Sequence, residues 1–352
     1  MKKTLLFFAA LVVLITLCTA CTGKPPEAVT PSYEDSTDAP AQDASPEDAS
    51  EGGEASSPLL LKLATTTLPE STAYQAIEMF KNRVEQDSDG SIEIQLYPGS
   101  QLGDQQVIVE GLQIGTIELA FLPIDAAENS YPGVSLLTPL FSASQTLSGE
   151  ALYESEQGRQ ILDGLQKKTG LRCLGFSVEG VRNIWSKQPI ETLRDLEGLK
   201  LWVSQSNMTS RVFQSFGVQP AQIAPSLIYD GLQAGLFDGF EVDDEVALEF
   251  SLYERCKYCA QTAHAITTYA FLMNDSIFTA MTATQQQIVQ AAAGATADWL
   301  TEVYANRRAS VQADLESHNV QFYTLSRSVT QQLEALAADA IKTYTQDFSA
   351  SE

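Results

Sequence analysis

Chemistry in this chain would have to come from few side chains. Among 352 residues there are two histidines, His264 and His318. Any histidine-dependent triad would have to use one of them, and no nucleophile motif accompanies either. The chain has no Gly-x-Gly-x-x-Gly, P-loop, His-Glu-x-x-His or Gly-x-Ser-x-Gly pattern. Cys256-Lys257-Tyr258-Cys259 forms a CxxC, open to reading as a short-loop disulfide, a redox pair or half of a metal site. No second CxxC or histidine pair completes a zinc set, so incidental or structural cysteines, with Cys173, are the plainer reading. Val242-Asp243-Asp244-Glu245 could hold a hard cation. It lacks the EF-hand pattern and reads first as a solvated turn. The residues therefore call for no enzyme, no metal and no cofactor, and what remains is binding. Between Gly180 and Glu241, Arg182 and Trp202 lie in or beside strand-like runs. A guanidinium can hold an anion or complete a structural ion pair. An indole can wall a cleft against an aromatic or neutral solute, or fill a core.

These side chains need elements to position them. Leu59 to Thr66 reads as a buried strand. Ser71 to Asp87 reads as an amphipathic helix with Ala73, Ala76, Ile77, Phe80 and Val84 on one face. Ile92, Ile94 and Leu96 alternate as a strand that Pro98-Gly99 breaks. Gln105 to Ile114 reads as a helix ending at Gly115, and Ile117 to Leu122 as a strand. The rhythm repeats with strand candidates at Leu171–Phe176, Asn183–Ser186 and Leu199–Val203. A helical turn at Leu193–Leu196, helices at Met208–Phe216 and Ile228–Ala234, and a strand at Gly239–Val242 complete the second unit. Alternating strands and helices predict α/β units with helices on both sheet faces, and the length fits two of them. Gln285 to His318 has almost no helix breaker. At 1.5 Å per residue such a helix is ~50 Å long, a strut across both units. A strand at Gln321–Leu325 and a helix at Val329–Phe348 close the chain.

The N-terminus reads as an address. Lys2 and Lys3 precede an apolar run, Thr4 to Thr19, that is shorter than the ~20 residues a membrane span needs but suits a signal peptide. It ends in Leu17-Cys18-Thr19-Ala20-Cys21, small residues before a cysteine, as in a bacterial lipoprotein box. Residues 1–21 are thus expected to be a leader, with Cys21 acylated by palmitate-like chains. A plain secretory signal or an uncleaved anchor is the alternative. Residues 22–58, rich in Pro, Ala, Ser, Asp and Glu, are expected to be a disordered acidic tether. The total charge is −24; with −8 in the tether and +2 in the leader, the remainder carries −18. Such acidity argues against nucleic acid as a partner and is what keeps many exported proteins dispersed.

From Leu61 onward the chain resembles the DctP-type solute receptors of TRAP transporters. The resemblance is carried by Tyr97-Pro98-Gly99-Ser100-Gln101-Leu102-Gly103-Asp104, Gly180-Val181-Arg182, Asp195-Leu196-Glu197-Gly198-Leu199-Lys200, and Leu232-Gln233-Ala234-Gly235 through Asp238-Gly239-Phe240-Glu241, in family order. It implies a type II periplasmic-binding-protein fold of two α/β lobes and a long interdomain helix. Lobe I would be 59–179 plus 268–307, and lobe II 180–267 plus 308–352. It also implies a monomer, lipid-anchored at the extracytoplasmic face of the membrane, that closes on a small organic solute and delivers it to a small and a large membrane subunit. A ligand-sensing module for a membrane signalling partner is the alternative. Two positions depart from the family pattern: Trp202 stands where members carry a carboxylate-clamping arginine, and Val242 where they carry an asparagine. Leu227 likewise replaces a common glutamate. An indole cannot supply arginine's planar fork. The expected ligand is therefore not a simple C4-dicarboxylate but an aromatic, heterocyclic or nucleoside-like solute. The expected cleft residues are Arg182, Trp202, Thr66, Pro123, Phe141, Asn207, Pro225 and Glu241.

Overall fold

The computed structural model describes residues 57–141 and 149–349. The leader, Cys21 and the tether as far as residue 56 lie outside the described residues. The first elements are β1 (Leu59–Thr65), α1 (Thr72–Asp87), β2 (Ile92–Tyr97), α2 (Gln105–Ile114) and β3 (Leu119–Pro123), close to expectation. Local chemistry sets their ends. The Ser71 hydroxyl accepts from the Tyr74 N–H and caps α1, and the Asp104 carboxylate does the same for Val107 at α2. Gly115 ends α2 at φ 75°, a left-handed cap that favours glycine.

Next come α3 (Gly149–Glu154), α4 (Glu156–Thr169), β4 (Leu171–Ser186), β5 (Lys200–Trp202), α5 (Asn207–Ser215), β6 (Gln219–Ala221), α6 (Ile228–Gln233), β7 (Gly239–Asp243) and α7 (Asp244–Glu249). The chain ends with β8 (Tyr258–Asn274), α8 (Asp275–Ala280), α9 (Ala283–Ser317), β9 (Gln321–Tyr323) and α10 (Arg327–Ser349). Among the described residues one sheet contains all nine strands, in the order β2-β1-β3-β8-β4-β7-β5-β6, with β9 on β8.

Several elements differ from the sequence reading. The two strands expected at 171–176 and 183–186 are one, β4, which runs antiparallel to β8 and takes up three register shifts. Gly180 lets it pass: a Cβ there would lie 2.5 Å from Cβ of Asp243. The 17-residue β8 was not legible in sequence, because Ala and Thr blur its alternation. The acidic stretch expected as a solvated turn is instead the buried start of α7, with Asp243 accepting from the Val246 N–H. The expected strut is α9, 35 residues long and ~50 Å at 1.5 Å per residue.

Successive strand residues point to opposite faces, and the core follows that rule. At one end of the sheet Leu61, Leu63, Leu119 and Phe121 pack one face, and Ala64, Ala120 and Leu122 the other. At the other end Ile184, Leu201 and Val203 pack one face, and Trp185, Trp202 and Phe240 the other. Each end is thus a helix-covered α/β layer. Only β4, β8 and α9 carry core residues from both ends, and all three lobe boundaries expected from sequence fall inside them. Among the described residues no helix is long and apolar enough to cross a membrane.

Candidate functional site

A cavity of ≈ 90 Å³ opens where the strand ends of the two α/β layers meet. Its position follows from topology: ligands of open α/β sheets gather beyond the strand ends. Thr66 follows β1, Pro123 ends β3, Arg182 lies on β4, Trp202 ends β5, Pro225 precedes α6, and Glu241 lies on β7; all six line the cavity. Val242 lines it as well.

Phe141 and Asn207 are placed elsewhere. Phe141 is buried in the core behind the cavity, stacked on His264 with ring centroids 5.1 Å apart. Asn207 opens α5, where its N–H and that of Met208 donate to the Glu128 carboxylate at 2.9 and 3.0 Å. A carboxylate at a helix N-terminus satisfies otherwise unpaired donors. Glu128 belongs to the opposite end of the sheet and also accepts from the Tyr344 hydroxyl, so it clasps the two ends together.

Arg182 is already engaged. Its Nε donates to Glu241 Oε2 at 2.7 Å, its Nη2 donates to Glu241 Oε1, and its Nη1 lies 3.8 Å from Asp125 Oδ2. Glu241 is fully buried and also accepts from the Ser204 N–H at 2.7 Å. His264 Nε2 lies 3.2 Å from it, and His264 Nδ1 lies 2.9 Å from the Thr262 hydroxyl. A neutral imidazole donating to Glu241 and accepting from Thr262 satisfies both ring nitrogens, and burial lowers the His264 pKa accordingly. Burial alone would push Glu241 up, but Arg182 and His264 together hold it below the usual carboxylate range. Asp125 is raised: its burial and the nearby Glu241 outweigh Arg182.

Trp202 offers the cavity only its ring, because its indole N–H donates to the Ile223 carbonyl at 3.0 Å. The remaining wall includes groups the sequence did not single out: Asp125, Glu179, Glu249, Phe250, Tyr269 and Tyr304. Glu179 carries the one available signal, an acid inside an otherwise apolar run, but it fell in the gap between two expected strands. Burial raises Glu249 to about 8, reinforced by Glu245 and Asp243. Glu179 is raised well above its usual range by burial and by Asp243, Glu249 and Glu245.

Among the described residues no cluster of three or more His, Cys, Asp or Glu is arranged to hold a metal ion. Cys173, Cys256 and Cys259 are free thiols. Burial pushes Cys256 up to about 12, which disfavours the thiolate that redox chemistry needs.

Residues 63–347 match the family model for bacterial extracellular solute-binding proteins, family 7, known as DctP. The sialic acid-binding periplasmic protein SiaP of Vibrio cholerae serotype O1 is 24% identical over 260 residues, covering 74% of this chain and 81% of that protein. A TRAP periplasmic solute-binding protein from Roseobacter denitrificans OCh 114, solved with bound L-galactonate, superposes with a TM-score of 0.74 at 24% identity, covering 80% of this chain and 93% of that one. One from Sulfitobacter sp. NAS-14.1, solved with bound β-D-galacturonate, gives 0.76 at 20% identity, covering 83% and 97%.

Proposed function

Because the chain belongs to family 7 of the bacterial extracellular solute-binding proteins, we propose that it is the receptor of a TRAP-type transporter for a solute that is not a carboxylate. The receptor captures its solute between two lobes that hinge within β4, β8 and α9. It hands the solute to small and large membrane subunits. It works as a monomer, held at the extracytoplasmic face of the membrane by lipid on Cys21.

One observation carries the ligand class. The only guanidinium lining the cavity, Arg182, is bound through two nitrogens to Glu241. The positions where the family pattern has a clamping arginine and an asparagine hold Trp202 and Val242, and both line the cavity. The solutes named for the two solved relatives are sugar acids. In this chain a carboxylate seeking a two-pronged contact with Arg182 would have to displace Glu241 from a nearly fully buried pair, and breaking such a pair costs about 3–5 kcal/mol. A flat heterocyclic or aromatic solute, by contrast, would stack on the free face of Trp202.

Thermal-shift screening tests this reading. Ligand at 100 times its Kd stabilises by about 2.7 kcal/mol, a rise of roughly 5 °C in a domain of this size. Aromatic and heterocyclic solutes are expected to raise Tm. Succinate, malate, D-galacturonate and L-galactonate are expected not to. Strong stabilisation by any of those acids, with none from aromatic solutes, would refute the ligand class.

A further inference from the structure

We propose that the solute is an organic cation, whose ammonium or amidinium group sits among Glu179, Asp243 and Glu249 while its apolar body lies against Trp202 and Phe250. The inference rests on the receptor reading above and specifies the charge of its ligand.

The wall of the cavity is strongly unbalanced. Five carboxyl side chains line it, Asp125, Glu179, Glu241, Asp243 and Glu249, against the single guanidinium of Arg182. Arg182 is spent on Glu241, and its remaining nitrogen faces Asp125. The other three carboxyls are left with neutral donors or none. Asp243 accepts from the Thr267 hydroxyl at 2.7 Å and the Val246 N–H at 3.0 Å. Glu249 accepts from the Thr72 N–H at 3.3 Å. Glu179 Oε1 is buried and has no hydrogen-bond partner among the described residues. A buried acceptor without a donor is an unfavourable arrangement. Glu179 lines the cavity, where a ligand can supply the donor.

Other cations near the site do not fill that role. Arg307 pairs with Glu245 at 2.8 Å, outside the cavity lining, and its side chain is largely exposed. Arg308 borders a neighbouring cavity of ≈ 190 Å³ that Glu179 also borders, and no ion pair among the described residues joins the two. The aromatic groups suit the same ligand. Tyr269 and Tyr304 line the cavity with Trp202 and Phe250, and aromatic faces attract ammonium groups, most strongly when water is excluded.

Proton linkage separates this ligand from a neutral polyol. Burial raises Glu249 to about 8 and Glu179 well above its usual range, so both hold their protons to higher pH than an ordinary carboxyl. A cation favours their ionised forms, so its binding releases protons and tightens as pH rises. A polyol would accept hydrogen bonds from the protonated forms, and its binding would weaken over the same range. The groups that face Glu249 and Glu179 and share this titration are Asp243, Glu245 and Arg307, with Arg308 across the neighbouring cavity.

Isothermal titration calorimetry on the folded chain decides it, at pH 6 and pH 8.5, in two buffers of different ionisation enthalpy. The probes are tyramine, phenethylamine, choline and agmatine, each beside an uncharged isostere, plus thymidine and D-galacturonate. At least one amine is expected to bind tenfold or more tightly than its isostere, to tighten tenfold between the two pH values, and to release protons. Glu179→Gln and Glu249→Gln are each expected to weaken that amine about tenfold while still unfolding in one cooperative transition. Failure of every amine to outbind its isostere would overturn the inference. Uncharged aromatic binding that is indifferent to pH would also overturn it, leaving the receptor reading standing. Binding of D-galacturonate would sink this inference and the non-carboxylate ligand class together, with the family assignment untouched.

Discussion

Replacing Arg182 with methionine tests the arrangement at the centre of the site. The guanidinium makes two hydrogen bonds to Glu241, and both residues are nearly or fully buried. Methionine fills much of the same volume but leaves Glu241 with only the Ser204 N–H and His264. Removing one partner of a buried ion pair typically costs about 3–5 kcal/mol. At roughly 2 °C per kcal/mol for a domain this large, Tm should fall by about 6–10 °C at neutral pH. The pH dependence should reverse as well. In the intact protein Arg182 holds the Glu241 pKa low, so its contribution is present above the ordinary carboxylate pKa and is lost as pH falls through the lowered value. Without Arg182 the burial of Glu241 raises its pKa, so the variant is favoured at low pH and loses stability as pH rises. The Tm gap between the two proteins should therefore widen from pH 5 to pH 8. The double variant Arg182→Met/Glu241→Gln should recover part of the loss, because no uncompensated charge remains. Differential scanning calorimetry of the four proteins measures all of this. A gap under 2 °C, a gap that ignores pH, or a double variant as unstable as the sum of the singles would refute the reasoning.

Other consequences follow from the same geometry. Burial raises Glu249 to about 8 and Asp244 to about 6. Their contribution is present below the ordinary carboxylate pKa and is lost as pH rises through those values, so the ligand-free protein should melt lower at pH 8.5 than at pH 5.5, and Glu249→Gln should flatten that slope in a fluorimetric scan. Cys256 and Cys259 are buried, which pushes their thiols up; they should ignore Ellman's reagent at pH 8 in the native state and react at once in guanidinium chloride, and rapid native labelling of either would contradict its packing. At Gly239 an added Cβ would lie 2.1 Å from the Trp185 carbonyl oxygen across the β4–β7 pair. Gly239→Ala should cost about 3 kcal/mol by overpacking, and an unchanged denaturant midpoint would argue against that register.

The sequence was most informative where structure is local. Through β3 the elements could be read almost to their ends, because apolar spacing, Ser71, Asp104 and Gly115 act within one helical turn. The strut α9 was legible because it lacks breakers over 35 residues. The chemistry missing at position 202 could also be read locally, since no fold gives tryptophan a guanidinium. Long-range pairing decided the rest. The continuity of β4 through Glu179 and Gly180 depends on β8, some ninety residues later in sequence, whose own pattern gives little warning. Arg182 could be read as an anion holder or as an ion-pair partner, and the strand register brings Glu241 to it from 59 positions away. Glu179, Glu249 and Tyr304 come from a strand, a short helix and the strut, and only packing brings them to one wall. A charge is set by what surrounds it, and those surroundings are built from residues far apart in the chain.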